Sequence, residues 1–257
     1  MTEATTSSTT VLVTEVFSAI QGEGALVGER QVFVRLTGCN IRCAYCDQPE
    51  ALEKRPGPCR LEQTPGRRDW WWRESPLPVT EVADAVDRLW RALPHHSVSV
   101  TGGEPLLQAR RLCALFPLLA ERHQPIYLET NGTLPGGLAS VHEWVDHIGM
   151  DIKLDSVDHE GVDLDTHQRF LQAGAARHLF VKIVIGPATV PGELERAVGM
   201  VHEVAPETEI FLQPVTPFAD VTAAPSPSQV LELQERALRL HQRVRVVPQT
   251  HKLIDQL

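Results

Sequence analysis

Strand-like and helix-like patterns alternate along most of this 257-residue chain. Short apolar runs typical of buried strands are followed by stretches with apolar residues at helical spacing. We predict strands at 11–17, 31–37, 97–101, 126–130, 147–152, 178–185, 209–213 and 244–247. We predict helices at 80–93, 105–121, 138–145, 165–174, 191–204 and 227–241. Such alternation indicates parallel strands joined by crossover helices, so the chain should fold as an α/β barrel or partial barrel.

Polar or glycine-containing turns follow the predicted strands, at the end where such a fold carries its functional loops. They are Thr101-Gly102-Gly103-Glu104-Pro105, Glu129-Thr130-Asn131-Gly132, Asp151-Ile152-Lys153, Gln213-Pro214-Val215-Thr216 and Pro248-Gln249-Thr250-His251-Lys252. Any one of them could be an ordinary turn, since Gly, Asn and Pro are common turn residues. Their joint placement predicts one functional face.

Three of the five cysteines lie close together, because Cys39, Cys43 and Cys46 have C-x3-C-x2-C spacing. Three thiolates from one loop can hold an iron–sulfur cluster and leave the fourth iron without a protein ligand. An open metal position is a place for chemistry. A structural zinc site would need a fourth ligand at finger-like spacing, and Cys59 and His95 are far along the chain. The spacing therefore predicts a cluster with an open iron.

Two features precede the cysteines. Gly22 and Gly24 flank Glu23 after the first predicted strand, and glycines allow a backbone to approach a ligand closely; a plain turn is the alternative. Arg35, near the end of the second predicted strand, is either a surface residue on the polar face or an anion clamp beside the cluster.

Length and composition limit the other possibilities. The chain is long enough for one α/β domain or two small ones, and we predict a single domain at 11–257 after a disordered tail at 1–10. Residues 53–78, rich in Pro, Arg and Glu with Trp70-Trp71-Trp72, are predicted to form a loop insertion. Its tryptophans would pack on one another or on a partner subunit.

The charge and cysteine content indicate where such a protein works. A formal net charge of −9 argues against a nucleic-acid partner. No apolar run approaches the roughly 20 residues that cross a bilayer, so we expect no membrane partner. Five cysteines, three of them close together in the sequence, fit a reducing cytoplasm better than a disulfide scaffold.

Together these motifs resemble those of the radical S-adenosylmethionine (SAM) superfamily, through the C-x3-C-x2-C loop and Gly-Gly-Glu-Pro at 102–105. They are also similar to the 7-carboxy-7-deazaguanine synthase family, whose motifs Ile-Gln-Gly-Glu-Gly, Thr-Gly-Gly-Glu-Pro, Glu-Thr-Asn-Gly and Gln-Thr-His-Lys occur here in order. The resemblance runs from Ile20 to Leu257 except for 53–78.

This resemblance implies a fold and a reaction. The fold would be a partial radical-SAM β/α barrel of mostly parallel strands with crossover helices. The protein would be a lyase of queuosine and 7-deazapurine biosynthesis that uses a [4Fe–4S] cluster and SAM. It would convert 6-carboxy-5,6,7,8-tetrahydropterin to 7-carboxy-7-deazaguanine and ammonia, through hydrogen abstraction by a 5′-deoxyadenosyl radical and ring contraction.

The resemblance also implies which residues hold the cofactors. Cys39, Cys43 and Cys46 would bind the cluster, and the backbone around Gly103 would receive the methionyl ammonium of SAM. Tyr45 and Asp47 would line its adenine and ribose. The implied SAM-binding set is Tyr45, Cys46, Asp47, Gly102, Gly103, Glu104, Asp151, Ile152, Lys153, Gln213, Pro214, Val215 and Thr216.

A substrate site is implied in the same way. Gln21 and Glu23 would bond to the pterin ring, because a carboxylate can accept from an amino group and a neighbouring N–H together. Arg35 would hold the substrate carboxylate as a bidentate fork, and Leu257 would close the pocket. The implied substrate-binding set is Ile20, Gln21, Gly22, Glu23, Arg35, Thr101 and Leu257, and the role of His251 is left open.

Gln48 departs from the family pattern. Relatives usually have Thr or Ser at this place, and that hydroxyl helps to hold a Mg²⁺ that meets the substrate carboxylate. An amide oxygen can bind Mg²⁺, but its longer arm would shift the ion. We therefore expect a weaker Mg²⁺ dependence, or an amide that replaces the ion by bonding to the carboxylate directly.

The resemblance implies two protein partners, and two rival functions stay open. An electron donor such as flavodoxin or ferredoxin would reduce the cluster, and the chain would form a homodimer. One rival is another radical SAM enzyme, such as a glycyl-radical activase, whose active site would need an opening wide enough for a protein substrate. The other is a non-enzymatic metal-binding protein.

Overall fold

The structure is a computed structural model that describes residues 9–55, 57–158, 162–175, 177–218 and 221–256. Its strands are β1 (Thr10–Val11), β2 (Val13–Ile20), β3 (Arg30–Leu36), β4 (Gly57–Glu62), β5 (Trp70–Ser75), β6 (Leu77–Pro78), β7 (Ser97–Gly102), β8 (Ile126–Thr130), β9 (His147–Ile152), β10 (His178–Ile185), β11 (Glu209–Pro214) and β12 (Val244–Val246). Its α-helices are α1 (Val79–Ala92), α2 (Ala109–Glu121), α3 (Pro135–Val141), α4 (Asp155–Asp158), α5 (Leu164–Gly174), α6 (Pro191–Val204), α7 (Pro227–Leu238) and α8 (Thr250–Leu253).

Ten of these strands form one sheet within the described residues, in the order β12-β11-β10-β9-β8-β7-β3-β2-β4-β5. Seven neighbouring strands run parallel to one another: β12, β11, β10, β9, β8, β7 and β3. The next strand, β2, is antiparallel to β3. The predicted α/β fold of mostly parallel strands is therefore confirmed. The described edge strands β5 and β12 do not pair, so the barrel is not closed.

Alternation along the strands separates a helix-covered face from a face that holds the site. On β7, Val98 and Val100 belong to the large apolar core, which also contains buried residues of the long helices α1, α2, α5 and α6. On the other face of the sheet lie residues such as Tyr127 and Phe180, whose rings are 6.0 Å apart. This period of two leaves polar and aromatic side chains free to line a cavity.

Residues 53–78 do not form the predicted loop. They contain β4 and β5, which pair as an antiparallel hairpin and extend the main sheet beside β2. Trp70 packs on the cluster of Phe17 and Phe33, whereas Trp71 and Trp72 are exposed. Three tryptophans in a row hide the period-two pattern that identifies a half-buried strand, although Trp itself favours strands.

Residues 1–8 of the predicted tail and Leu257 lie outside the described residues, but Thr10 already pairs with Pro78 in β1 and β6. Near the carboxyl end, α7 begins as predicted, with the Ser226 hydroxyl accepting the N–H of Gln229 at 3.2 Å. The Gln229 side chain donates to Pro187 O at 2.9 Å.

No helix in the described part of the chain is long and apolar enough to cross a membrane.

Candidate active site

A cavity of about 200 Å³ lies where the carboxyl ends of the parallel strands meet the cysteine loop. It brings together residues from most of the predicted motifs. The predicted site residues that line it are Ile20, Gln21, Gly22, Glu23, Arg35, Cys39, Cys43, Tyr45, Cys46, Asp47, Gln48, Thr101, Gly102, Gly103, Asp151, Lys153 and Gln213.

The three clustered cysteines are free thiols, each half-buried on the wall of this cavity. Burial raises the pKa of all three, that of Cys43 to about 12. The thiols therefore stay protonated until a metal centre displaces the proton. No three Cys, His, Asp or Glu side chains among the described residues are already gathered as ligands of one metal ion.

Glycines hold the cysteine loop close to the end of β7. The Glu104 N–H donates to Gly38 O at 2.7 Å, and a Cβ added to Gly103 would lie 2.2 Å from that same oxygen. Such a contact is impossible for any other residue without a backbone shift. Gly103 is therefore required for the close approach of the two loops, and it leaves bare backbone on the cavity wall.

Some predicted SAM-site residues do not line the cavity: Glu104, Ile152, Pro214, Val215 and Thr216. Ile152 and Val215 belong to the apolar core. Glu104 is fully buried and accepts hydrogen bonds from the N–H groups of Leu106 and Asn131 and from the Thr130 hydroxyl. Its side chain therefore joins the loops after β7 and β8 and does not line the cavity, and its predicted role in the SAM site stays a prediction. Leu257 lies outside the described residues.

Four alternating charges, Glu23, Lys182, Asp151 and Lys153, form what we call the charged wall. Lys182 pairs with Glu23 and, at 3.1 Å, with Asp151, whose other oxygen pairs with Lys153 at 2.8 Å. Lys182 and Asp151 are neighbours in the register of β10 and β9, so the sheet itself sets their contact. The Lys153 ammonium also lies 5.3 Å from the centre of the Tyr45 ring.

The pKa shifts of Glu23 and Lys182 favour the charged form of each side chain. Burial would raise the pKa of Glu23, but the charge and hydrogen bond of Lys182, with the amide of Gln249, lower it to about 2. Burial would likewise lower the pKa of Lys182, but the carboxylates of Asp151, Glu23 and Glu129 raise it above its usual value. At neutral pH Glu23 and Lys182 therefore present fixed charges to the cavity.

Glu129 holds Gln21 in place on the adjoining part of the cavity. The Gln21 amide donates to Glu129 at 2.8 Å and to Gln31 at 3.0 Å, while its oxygen accepts the Glu23 N–H. Ser99 also donates to Glu129, at 2.8 Å. Burial raises the pKa of Glu129. These bonds fix the orientation of Gln21 and position the loop that carries Glu23.

Arg35 leaves part of its guanidinium free. Its Nε donates to Glu15 at 2.7 Å, and its two terminal nitrogens make no hydrogen bond within the described residues. Arg35 is buried and lines the cavity, so it is not a surface residue of the polar face. Its role as an anion clamp stays a prediction. The Gln48 side chain likewise makes no hydrogen bond to a described residue.

The carboxyl-terminal segment closes over the loop after β2. Gln249 donates to Glu23 at 2.7 Å, and the Thr250 N–H donates to Gly22 O at 3.0 Å. His251 packs so closely on Gly22 that an added Cβ would lie 2.2 Å from its Nδ1. Lys252 pairs with Asp47 at 3.0 Å. The segment thus joins the Glu23 loop to the cysteine loop across the cavity.

Sequence reasoning did not place Lys182, Glu129, Tyr127 and Phe180 in the site, although all four line the cavity. A lysine within the otherwise apolar strand at 178–185 was the available signal for Lys182. For Glu129 the motif was recognised but no role was assigned. Tyr127 and Phe180 looked like ordinary core residues, since aromatic rings in strands usually are.

Comparison with known proteins supports the resemblance seen in the motifs. The family model described as the Radical SAM superfamily matches residues 33–204. The chain is 45% identical to the 7-carboxy-7-deazaguanine synthase of Geobacter sulfurreducens, covering 95% of this chain and 96% of that protein. It is 36% identical to the one from Methanopyrus kandleri, covering 95% and 93%.

A solved structure agrees in fold. The crystal structure of QueE from Escherichia coli matches with a TM-score of 0.62 at 18% identity, over 95% of this chain and 96% of that one. The sequence matches confirm the family predicted from the motifs: the chain belongs to the 7-carboxy-7-deazaguanine synthase family of radical SAM enzymes.

Proposed function

We propose that this chain converts 6-carboxy-5,6,7,8-tetrahydropterin to 7-carboxy-7-deazaguanine and ammonia. Its relatives carry the name of that activity. The observation that carries the proposal is one small cavity, which is lined by three free thiols, by the charged wall and by the unpaired end of the Arg35 guanidinium. Such a cavity suits a compact substrate with a polar ring and one carboxylate.

Membership of the superfamily implies a [4Fe–4S] cluster and SAM. The residues fit both groups, because Cys39, Cys43 and Cys46 face one cavity as free thiols and Gly103 leaves bare backbone beside them. When bound, the cluster and SAM supply a 5′-deoxyadenosyl radical that abstracts hydrogen from the substrate, which is chemistry of the cofactor and not of the side chains. The tasks of this chain are placement and the exclusion of water.

On the cofactor side, we assign SAM to the cavity wall between the cysteine loop and the charged wall. The backbone of Gly102 and Gly103 would receive its ammonium, and Tyr45 and Asp47 would contact its nucleoside. The salt bridge from Asp151 to Lys153 and the contact of Lys153 with Tyr45 hold the Tyr45 ring in place. Asp47 is held by its pairing with Lys252. Gln213, whose side-chain oxygen is buried without a partner among the described residues, is free to accept a hydrogen bond from the ligand.

On the substrate side, Arg35 and Glu23 would bind opposite parts of the pterin. The free end of the Arg35 guanidinium suits the carboxylate as a bidentate donor. Glu23, ionised by Lys182, would accept from the amino group and ring N–H of the pterin. Gln21, Thr101 and the backbone of Ile20 and Gly22 line the same part of the cavity.

The small cavity favours this reaction over the glycyl-radical activase. The carboxyl-terminal segment bridges the cavity through the contacts of Gln249, Thr250 and Lys252. A protein substrate would need that bridge to open.

Mg²⁺, the homodimer and a cytoplasmic location stay predictions. For Mg²⁺, the unbonded side chain of Gln48 supports either a displaced ion or direct bonding of the amide to the substrate carboxylate. Titrating Mg²⁺ against turnover in wild type and in Gln48→Thr tests this. We expect strong dependence only in the variant; strong, equal dependence in both would contradict it.

The activity is tested by anaerobic reconstitution of the cluster, followed by incubation with SAM, a reductant and the carboxytetrahydropterin. We expect formation of 7-carboxy-7-deazaguanine. An intact cluster that cleaves SAM but gives no such product would overturn the substrate assignment.

Two matched arginines test the substrate site, because Arg35 and Arg60 both pair with Glu15 and only Arg35 lines the cavity. Lysine keeps the charge but loses the fork. Arg35→Lys should raise the KM for the pterin about tenfold to a hundredfold, as expected for a lost charged hydrogen bond. Arg60→Lys should leave the KM for the pterin unchanged. An equal rise in KM in both variants would show that the shared partner Glu15, and not Arg35, determines substrate binding.

A further inference from the structure

The chain contains two asparagines, Asn40 and Asn131, and the fold brings them together. They are 91 residues apart in the sequence, yet the Asn131 amide donates to the Asn40 side-chain oxygen at 2.9 Å. Asn40 follows the first cysteine of the C-x3-C-x2-C loop, and Asn131 belongs to the Glu-Thr-Asn-Gly loop at the end of β8. With so few asparagines, abundance does not explain their pairing. The contact joins a side chain without an assigned role to the loop of the proposed cluster ligands.

Thr133 closes this pair into a ring of hydrogen bonds. The Asn40 amide donates to the Thr133 hydroxyl at 2.9 Å, and that hydroxyl donates to the Asn131 side-chain oxygen at 2.6 Å. The Thr133 N–H donates to the same oxygen at 3.1 Å. Each of the three side chains both donates and accepts, so the bonds polarise one another. We call Asn40, Asn131 and Thr133 the asparagine ring.

Asn131 is the anchored member of the asparagine ring. Its side chain is buried, and its N–H donates to the Glu104 carboxylate at 2.8 Å. Its carbonyl oxygen accepts the Nε2–H of His167, a fully buried residue of α5, at 3.3 Å. Both backbone groups of Asn131 are therefore held, one by the loop after β7 and the other by a core helix.

The cysteine loop gains a tie to the sheet through this ring. Residues Asn40 to Cys43 belong to neither a helix nor a strand. Arg42 donates to Cys39 O at 3.0 Å and to Ile41 O at 2.9 Å, so these bonds fold the loop on itself without tying it to the sheet. The bonds of Asn40 connect the stretch between the first two cysteines to the end of β8.

We propose that Asn131 and Thr133 are positioning residues, which act through Asn40 to hold the cysteine loop in the shape that receives the [4Fe–4S] cluster. The proposal rests on the proposed function, because it needs a cluster at this loop. A loop that already has its bound shape loses less conformational entropy on binding. Asn40 is exposed and lies outside the cavity, so its contribution comes through the loop and not through contact with the pterin.

Cluster retention separates this role from ordinary stability. Each protein is reconstituted anaerobically, and the rate of iron release to excess EDTA is measured without substrate or turnover. The variants are Asn40→Ala, Asn131→Ala and the double variant. Gln172→Ala, which removes an exposed amide from α5, is the matched control. Urea unfolding of the cluster-free chain is measured for the same set.

We expect each single variant to release iron about tenfold faster than wild type, the effect of losing one or two neutral hydrogen bonds. The double variant should also be about tenfold faster and not a hundredfold, because both substitutions break the same contact. Gln172→Ala should match wild type. In Asn40→Ala the turnover per loaded cluster should fall while the KM for the pterin stays unchanged. Its urea midpoint should move by less than about 0.3 M, as for other exposed substitutions.

Thr133 gives an independent check of the ring. Thr133→Val removes the hydroxyl and keeps the branched shape, whereas Thr133→Ser keeps the hydroxyl. Thr133→Val should release iron about fivefold faster than wild type, and Thr133→Ser should match wild type. Iron release at the wild-type rate in both would show that the ring does not hold the loop.

Other outcomes would overturn the proposal. An unchanged rate of iron release in Asn40→Ala or Asn131→Ala would show that their contact does not hold the cluster, and multiplying effects in the double variant would show that the two residues act separately. A large drop in the urea midpoint of Asn40→Ala would assign the effect to fold stability. A wild type that binds the cluster and cleaves SAM without forming 7-carboxy-7-deazaguanine would overturn the proposed function, while iron release would still test the ring.

Discussion

Two carboxylates in loops that follow strands behave in opposite ways. Glu23, after β2, contacts Lys182 and Gln249, and its pKa is lowered to about 2. Glu104, after β7, accepts from the N–H groups of Leu106 and Asn131 and from the Thr130 hydroxyl, and burial still raises its pKa to about 7. Both groups are hydrogen-bonded, so hydrogen bonding does not explain the difference.

The difference lies in the charge of the partner. Neutral donors favour a carboxylate but do not offset its loss of water, whereas an ammonium does. Glu23 is therefore a fixed anion on the cavity wall, suited to recognition of a ligand. Glu104 has a pKa near neutral pH, and its side chain joins the Thr-Gly-Gly-Glu-Pro loop to the Glu-Thr-Asn-Gly loop. Four substitutions test this comparison.

The largest effect is expected for Lys182→Met. It leaves Glu23 and one side of Asp151 without their cation, and breaking a buried pair in this way costs about 3–5 kcal/mol of unfolding free energy. Urea unfolding measures the loss. Adding Glu23→Gln should recover part of it, because the second change removes the unpaired charge. Equal stability of wild type and Lys182→Met would mean that the charged wall does not stabilise the fold.

The unfolding free energy of Lys182→Met should also depend less on pH than that of wild type. The folded pKa of Glu23, about 2, lies below its ordinary value of 4.5, so its stabilising contribution is present above pH 4.5 and lost as pH falls toward 2. Without Lys182 the folded pKa rises and this loss on acidification should shrink. Unfolding free energies at about pH 5 and about pH 3 test the change.

The second prediction concerns Glu104→Gln, whose pH dependence has the opposite sign. The folded pKa of about 7 lies above 4.5, so the contribution of Glu104 is fully present below pH 4.5 and lost as pH rises through about 7. An amide does not titrate, and it turns one N–H group toward donors of the protein. The variant should lose about 1–3 kcal/mol at about pH 5 and less at about pH 8.

A surface substitution serves as the control for this experiment. Glu121→Gln, at the exposed end of α2, should change the unfolding free energy by less than about 0.5 kcal/mol at either pH. If Glu104→Gln kept the same pH dependence as wild type, Glu104 would be ionised throughout and the contrast with Glu23 would fail.

The comparison also shows what the sequence could predict. Both glutamates were predicted to follow strands. Parallel pairing brings the loop after β7 beside the loop after β8, whereas β2, which precedes Glu23, is antiparallel to β3. Which carboxylate faces the cavity was not predictable, because it depends on a partner distant in the chain. Lys182 is 159 residues from Glu23, and only the pairing of β9 with β10 places it beside Asp151.

The hairpin of β4 and β5 was missed for a related reason. Its strands are defined by pairing with β2 and with each other, and its exposed Trp71 and Trp72 break the usual link between apolar character and burial. Local patterns predict an element where its own residues alternate between core and solvent. They fail where the edge of a sheet imposes the conformation.

The third prediction separates the two partners of Glu23. Gln249→Leu removes the neutral donor at 2.7 Å and keeps Lys182. The loss should be about 1.5–2 kcal/mol, in the range for a hydrogen bond to a charged group, and Glu23 should remain ionised at neutral pH. The acid-side loss of stability should therefore persist, unlike in Lys182→Met. Its disappearance would assign the low pKa of Glu23 to the amide.

The smallest effect is expected for Thr130→Val, the counterpart change at Glu104. The hydroxyl lies 2.9 Å and 3.1 Å from the two carboxylate oxygens, and losing one such bond costs about 1 kcal/mol. Because that bond favours the ionised form, its loss should move the pKa of Glu104 above about 7 and the pH midpoint of the stability change with it. Thr130→Ser, which keeps the hydroxyl, should restore the midpoint. If the midpoint stayed fixed in Thr130→Val, burial alone would set the pKa of Glu104, and the contrast with Glu23 would depend only on the lysine.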